Sequence, residues 1–150
     1  SSVDFGGLDC EGYRLPIEAE WEYAARAGST SAFYSGGISE CYCEHDANFD
    51  DIGWYCGNSG DETHVVGGKD PNAWGLYDMS GNVLEWAWDR KDGYEEAQVT
   101  DPLGGTGPSR VIRGGSWTDD ARRCRSAYRL KDSPDNRLDD LGFRPARSVK

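Results

Sequence analysis

The clearest hydrophobic period in the chain lies near its start, where Trp21, Ala24 and Ala25 share one face of the stretch from Ile17 to Ala27. That stretch begins just after Pro16 and stops at Gly28, and Glu18, Glu20 and Glu22 load its first turns with the negative charge a helix N-terminus favours. The pattern predicts a helix over 17–27, with Ile17 at the N-cap position and no side-chain acceptor there. Before it, Ser1 to Gly12 is Gly-rich and polar and reads as an approach segment. After it, Gly36-Gly37, Gly57-Asn58 and Gly67-Gly68 interrupt short aromatic pieces, which predicts an ordered but irregular region from Ser29 to Lys69. Ala73 to Trp88 is the densest apolar block, and its Trp74, Leu76, Val83, Leu84 and Trp86 read as core. Asp89 to Pro108 reads as a surface loop. Val111-Ile112, Trp117, Cys124 to Tyr128 and Phe143 to Ala146 read as short strands between turns such as Ser133-Pro-Asp-Asn136. No internal repeat is visible.

Composition narrows the class. The 150 residues make one domain, 1–150, long enough to bury its own core. With 37% apolar residues, 20 Gly and 6 Trp, the core relies on large aromatics within a loop-rich frame, and a helical bundle is excluded. No run is long and apolar enough for a membrane span, and the amino terminus has no charged-then-apolar secretory segment. The compartment is left open.

The net charge of -11 is unevenly distributed. Residues 1–109 carry 5 Lys/Arg against 21 Asp/Glu, whereas residues 110–150 carry 11 against 6. Late arginines pairing with early carboxylates inside one fold explains this split better than nucleic-acid binding, because the basic segment is itself studded with Asp119, Asp120, Asp132, Asp135, Asp139 and Asp140. No nucleic-acid partner is expected. Five cysteines, Cys10, Cys41, Cys43, Cys56 and Cys124, cannot all pair within one chain. Cys41, Cys43, His45 and Cys56 have spacing that a Cys3His zinc site can use; a disulfide from Cys56 to Cys41 or Cys43 would staple the same loop instead.

Three ordered blocks carry the sharpest information: Gly75-Leu-Tyr-Asp-Met-Ser-Gly-Asn-Val-Leu-Glu-Trp86, Arg113-Gly-Gly-Ser-Trp117 and Leu141-Gly-Phe-Arg144. With Tyr13-Arg-Leu-Pro16, Glu18 to Arg26 and Pro71-Asn-Ala-Trp74, they closely resemble the carboxy-terminal half of the formylglycine-generating-enzyme, or sulfatase-modifying factor, family. The resemblance implies an α+β, C-type-lectin-like fold with short antiparallel strands, few helices and much irregular coil. It also implies that the amino-terminal half of the family domain is absent from this chain.

Catalytic members hold copper between two cysteines shortly after the Gly-Gly-Ser-aromatic block, a thiolate pair that suits a soft ion. Here Cys124 stands alone after Trp117, and one thiolate cannot do two-thiol chemistry, so no copper is expected and Cys124 reads as a buried inert thiol. The oxidase alternatives, copper-dependent or of the iron-dependent sulfoxide-synthase type, require a second thiol or metal-binding histidines. Only His45 and His64 are present, far from Cys124 in sequence. An accessory domain of such an enzyme is a further alternative. The family's calcium site maps onto Asp78, the carbonyls of Gly81 and Val83, and Glu85, hard oxygens of the kind calcium takes. Asp78 and Glu85 could instead cap turns or pair with the late arginines.

Variable proteins of diversity-generating retroelements resemble the same family and carry randomised residues between the Gly-Gly-Ser-Trp and Leu-Gly-Phe-Arg blocks. Adenine-directed variation of Asn codons excludes Glu, Gln, Lys, Met and Trp at such positions. Thr118, Asp119, Asp120, Arg123, Tyr128, Leu130, Asp132, Ser133, Leu138, Asp139 and Asp140 all obey that restriction. The leading expectation is a non-catalytic domain whose recognition surface, formed by residues 117–140 with Trp117 at its edge, contacts a protein or other surface ligand. Arg113, Ser116, Arg125, Arg129 and Arg144 are expected to point inward and hold the scaffold.

Overall fold

The computed structural model describes residues 11–91 and 105–148. Its elements run β1 (Tyr13–Arg14), α1 (Glu18–Arg26), β2 (Leu84–Arg90), β3 (Arg110–Arg113), β4 (Leu130–Asp132), β5 (Leu141–Gly142) and β6 (Ala146–Arg147). The four-stranded sheet has the order β4-β3-β2-β5, and β1 pairs with β6 in a separate two-stranded ribbon that ties the two ends of the described chain together.

Helix α1 forms where the pattern places it, and its N-terminus is satisfied from outside the capping residue. Ile17 supplies no side-chain bond; the Glu20 carboxylate accepts the Ile17 N–H at 3.0 Å and Asp89 Oδ2, from β2, accepts the Glu18 N–H at 2.6 Å. Ala27 ends the helix in the left-handed region, φ 45°, and its N–H reaches the Tyr23 carbonyl. The buried face presents Trp21 and Ala25 to Met79.

A second core sits under the irregular region. Phe33 stacks on Phe49 at 4.5 Å, Phe49 meets Tyr55 at 4.6 Å, and Ile52, Ala121 and Cys124 complete the cluster. A disulfide, Cys43–Cys56, closes this loop, and Cys41 is an exposed free thiol. Thiols committed to a disulfide cannot ligate zinc as thiolates, so the Cys3His reading gives way to the disulfide reading. Cys10 lies outside the described residues.

Several expectations are corrected. Trp74 is not core: it is 48% exposed and lies against Tyr23, ring centroids 4.8 Å apart. Leu76, Val83 and Trp86 are half-buried, and of that block's proposed core only Leu84 is fully enclosed. Cys124 to Tyr128 and Trp117 form turns, not strands, whereas the polar Leu130–Asp132 is a strand because β3 supplies its antiparallel partner. Phe143 is exposed between β5 and β6. Strand β2 extends to Arg90 into the expected loop, of which residues 92–104 lie outside the described part. The sheet is mixed, since β5 runs parallel to β2 with Leu84 opposite Leu141.

Candidate functional site

The segment from Ser116 to Asp140 is suspended from the frame at a few fixed points. Asn82 is the first of them. Its backbone lies in the left-handed region, φ 66°; its side chain accepts the His64 N–H at 3.0 Å and donates to the His64 carbonyl at 3.1 Å. Its main chain binds Trp54 O at 2.7 Å and receives Trp117 N–H at 2.9 Å, so the Gly-Asn pair of the first motif positions the start of the surface loop. Gly81 is obligatory beside it: φ is 80°, and a Cβ would lie 2.2 Å from the Trp54 carbonyl oxygen. Neither Asn82 nor Asn72, which pins the helix C-terminus through the Ala24 carbonyl at 2.7 Å, stood out as a functional position in the sequence.

Ser116 is the second fixed point. It is fully buried, and its Oγ lies 3.1 Å from Asp119 Oδ2, 3.0 Å from Thr118 Oγ1 and 3.3 Å from Asp140 Oδ2, so that it joins the two limbs of the segment. The Asp119 carboxylate also accepts the Ser116 N–H at 3.1 Å, and its carbonyl accepts the Cys56 N–H. Asp119 is therefore buried scaffold, which corrects its assignment to the contact surface. Of the other expected surface residues, Thr118, Arg123, Leu138 and Asp139 are exposed, along with Ser133, while Trp117, Asp120, Tyr128, Leu130, Asp132 and Asp140 are half-buried. Asp120 binds Arg122 at 2.7 Å; burial opposes its ionisation, but the Arg122 guanidinium together with the backbone N–H groups of Arg122 and Arg123 outweighs burial and holds the carboxyl below its ordinary range.

The inward arginines define the frame. Arg113 has no exposed side-chain surface and is held by Glu18 and Glu22 while its guanidinium lies over the Trp21 ring, 5.0 Å from the centroid. Arg129 also pairs with Glu18, and Arg144 pairs with Glu85 at 2.7 and 3.0 Å. Late arginines do pair with early carboxylates. Arg125 is the exception: half-buried, it donates to the Arg122 carbonyl at 2.7 Å and reaches no carboxylate among the described residues, so it is not a clamp there.

Cys124 is fully buried, with Sγ 4.0 Å from the Ser116 carbonyl, and a Cβ added at Gly115 would lie 2.5 Å from that sulfur. Burial pushes its thiol well above the ordinary range, and the charges of Asp119 and Asp120 add to the effect. His45 pairs with Asp50 and is exposed, while His64 stacks on Trp54 at 3.7 Å with Nε2 2.7 Å from the Ser59 carbonyl.

The residues mapped to calcium are only partly committed elsewhere. Glu85 accepts from Trp21 Nε1 at 2.7 Å and from Arg144, so the pairing with a late arginine is real. Asp78, φ 54°, accepts the Gly67 N–H at 2.7 Å through Oδ2, but its buried Oδ1 has no donor among the described residues. A buried carboxylate oxygen without a donor fits a hard cation, and the set Asp78, Gly81 O, Val83 O and Glu85 is all oxygen.

The comparisons with known proteins agree with this geometry. Residues 2–149 match the sulfatase-modifying factor enzyme 1-like domain. The formylglycine-generating enzyme of Streptomyces coelicolor is 37% identical over 154 residues, covering 90% of this chain and 46% of the relative, so the chain spans about half the length of that protein. Treponema denticola variable protein 1 superposes with a TM-score of 0.85 at 40% identity, covering 94% of this chain and 49% of that one. PvdO from Pseudomonas aeruginosa gives 0.77 at 35% identity, covering 91% and 53%. The motifs, the helix-on-sheet frame and these matches together make the chain a member of the sulfatase-modifying factor enzyme 1-like domain family, with its C-type-lectin-like fold.

Proposed function

We propose that this chain is a non-catalytic ligand-binding domain whose recognition surface is formed by residues 117–140. The observation that carries the proposal is the state of Cys124. A nucleophilic or metal-holding thiol must ionise and meet its partner, and this one is sealed in the core with its pKa raised. The surface reading draws support from exposed Thr118, Arg123, Leu138 and Asp139 on loops whose backbones hang from buried Asn82 and Ser116. Its finer form, a retroelement-diversified variable protein that contacts a protein or other surface ligand, is supported by the similarity to variable protein 1.

The test compares surface with frame. Joint substitution of Thr118, Arg123, Leu138 and Asp139 by Ala is expected to leave the melting temperature within a few degrees, since exposed changes cost less than about 0.5 kcal/mol each. Arg144→Ala alone is expected to cost more than all four together, because it strips a buried carboxylate of its partner. Unfolding of the fourfold variant would end the surface reading. Incubated with copper, reductant and a sulfatase-type cysteine peptide, the chain is expected to form no formylglycine; turnover that Cys124→Ser abolishes would make it an oxidase instead.

We also propose that calcium is held by Asp78 Oδ1, the carbonyls of Gly81 and Val83, and Glu85 through lone pairs that Trp21 and Arg144 leave free. Bound there, the ion would neutralise Asp78 and tie the Gly81 turn to β2. It would have a structural role.

A further inference from the structure

One face of the central sheet carries the helix; the other carries aromatic rings. Residues of β2 alternate, so Glu85 and Asp89 reach α1 while Trp86 and Trp88 point to the opposite side. On that side a cleft of about 410 Å³ opens beside Trp86, walled by Leu138, Leu141 and Phe143 and rimmed by Asp135 and Arg137. Its rim is ordered: Asp132 Oδ1 accepts the Ser133 N–H at 2.7 Å and the Asn136 side chain at 2.6 Å.

The molecule repeatedly places its own cations over its own aromatic faces. Lys69 lies over Trp54 at 3.9 Å, Arg110 over Trp88 at 4.2 Å, Arg113 over Trp21 at 5.0 Å and Arg122 over Tyr42 at 4.8 Å. Among the described residues, Trp86 and Phe143 carry no such cation, although both line the cleft and Phe143 is 68% exposed. Asp135 at the rim forms no ion pair with a described residue, Asp139 and Asp140 continue the same loop, and the chain as a whole carries a net charge of -11.

We infer that this cleft receives an arginine or lysine side chain of a protein partner, its aliphatic stem along Leu138 and Leu141, its cation over Trp86 and Phe143, and its polar head at Asp135. The inference rests on the reading of residues 117–140 as a recognition surface and names the partner chemistry for its Leu138 end. Arg137 lines the same cleft and competes for it, so it sets the threshold for entry.

The test follows backbone amide and indole N–H resonances of the intact chain by NMR during titration with acetylated, amidated tripeptides, glycine-arginine-glycine and glycine-lysine-glycine, with the glutamine and glutamate versions as controls. The basic peptides are expected to shift the Trp86 indole and Gly142 amide saturably. Asp135→Asn or Phe143→Ala should weaken the response by about threefold, the size of an exposed cation–π or ion-pair contact. Arg137→Ala should strengthen it. Equal shifts from the glutamine or glutamate peptide, no saturable shift in either the native chain or Arg137→Ala, or weaker binding in Arg137→Ala would overturn the inference. Because the spectra report folding directly, loss of binding in a folded chain with a tolerant 117–140 surface refutes this inference alone, while unfolding of the fourfold surface variant refutes the reading beneath it.

Discussion

Glu85 and Asp78 end up in different circumstances although they belong to one motif. Glu85 is engaged by Trp21 and Arg144 and keeps accepting capacity on Oε1, whereas Asp78 keeps one buried oxygen without a donor among the described residues. Calcium bound to the folded chain should therefore raise stability by mass action, about 3 kcal/mol when the ion is near a hundredfold above its Kd. EGTA is expected to lower the melting temperature of the native chain and leave that of Asp78→Ala unchanged; identical melting with and without chelator would mean that the Glu85–Arg144 pair holds the motif unaided. Cys124 was legible at this scale, because a single thiol after Trp117 already argues against two-thiol chemistry. Asp119 was not: its restricted residue type fits a variable position, and only the bonds to Ser116 show it to be scaffold.

At the scale of elements, the irregular stretch between α1 and β2 is as specified as any strand. Asp46 is fully buried, and its carboxylate accepts three backbone N–H groups, from Ser39, Glu40 and Asn48, at 2.8 to 2.9 Å; the Asp46 N–H binds the Tyr55 hydroxyl. Burial opposes ionisation of Asp46, but the backbone donors outweigh it, so its folded-state pKa lies below the ordinary carboxylate value. A depressed folded pKa contributes stability that is complete above the unfolded value and is lost as pH falls through the folded one. Urea unfolding of the native chain should thus weaken below about pH 4, and Asp46→Asn should flatten that acid limb. An unaltered limb in the variant would place the acid sensitivity elsewhere. The helix was readable because Pro16, three glutamates and Gly28 bracket it locally. Strand β4 was not, because Leu130-Lys-Asp132 has no strand signature until β3 lies beside it.

For the molecule as a whole, Glu18 is the joint. Its N–H meets Asp89 of β2, and its carboxylate meets both Arg113 of β3 and Arg129 beside β4, which locks α1 to the sheet. Glu18→Ala is expected to cost about 3 kcal/mol or more in urea unfolding, because it leaves the wholly buried Arg113 short of counter-charge. Glu20→Ala, which removes the more exposed partner of Arg14, should cost about 1 kcal/mol. Equal costs would show that Glu18 is an ordinary ion-pair partner.

The family, the helix, the aromatic basis of the core, the single thiol after Trp117 and the pairing of late arginines with early carboxylates are legible in the chain alone, because each is written in local spacing or in charge segregation along it. The tertiary structure alone decided which cysteine closes the loop, that Trp74 faces outward, that Asp119 is buried, that β5 runs parallel to β2, and that Trp86 floors a cleft instead of filling the core. Those outcomes depend on which segments meet across long sequence separations, and a side chain's burial is set by the neighbour that arrives, not by its own hydrophobicity.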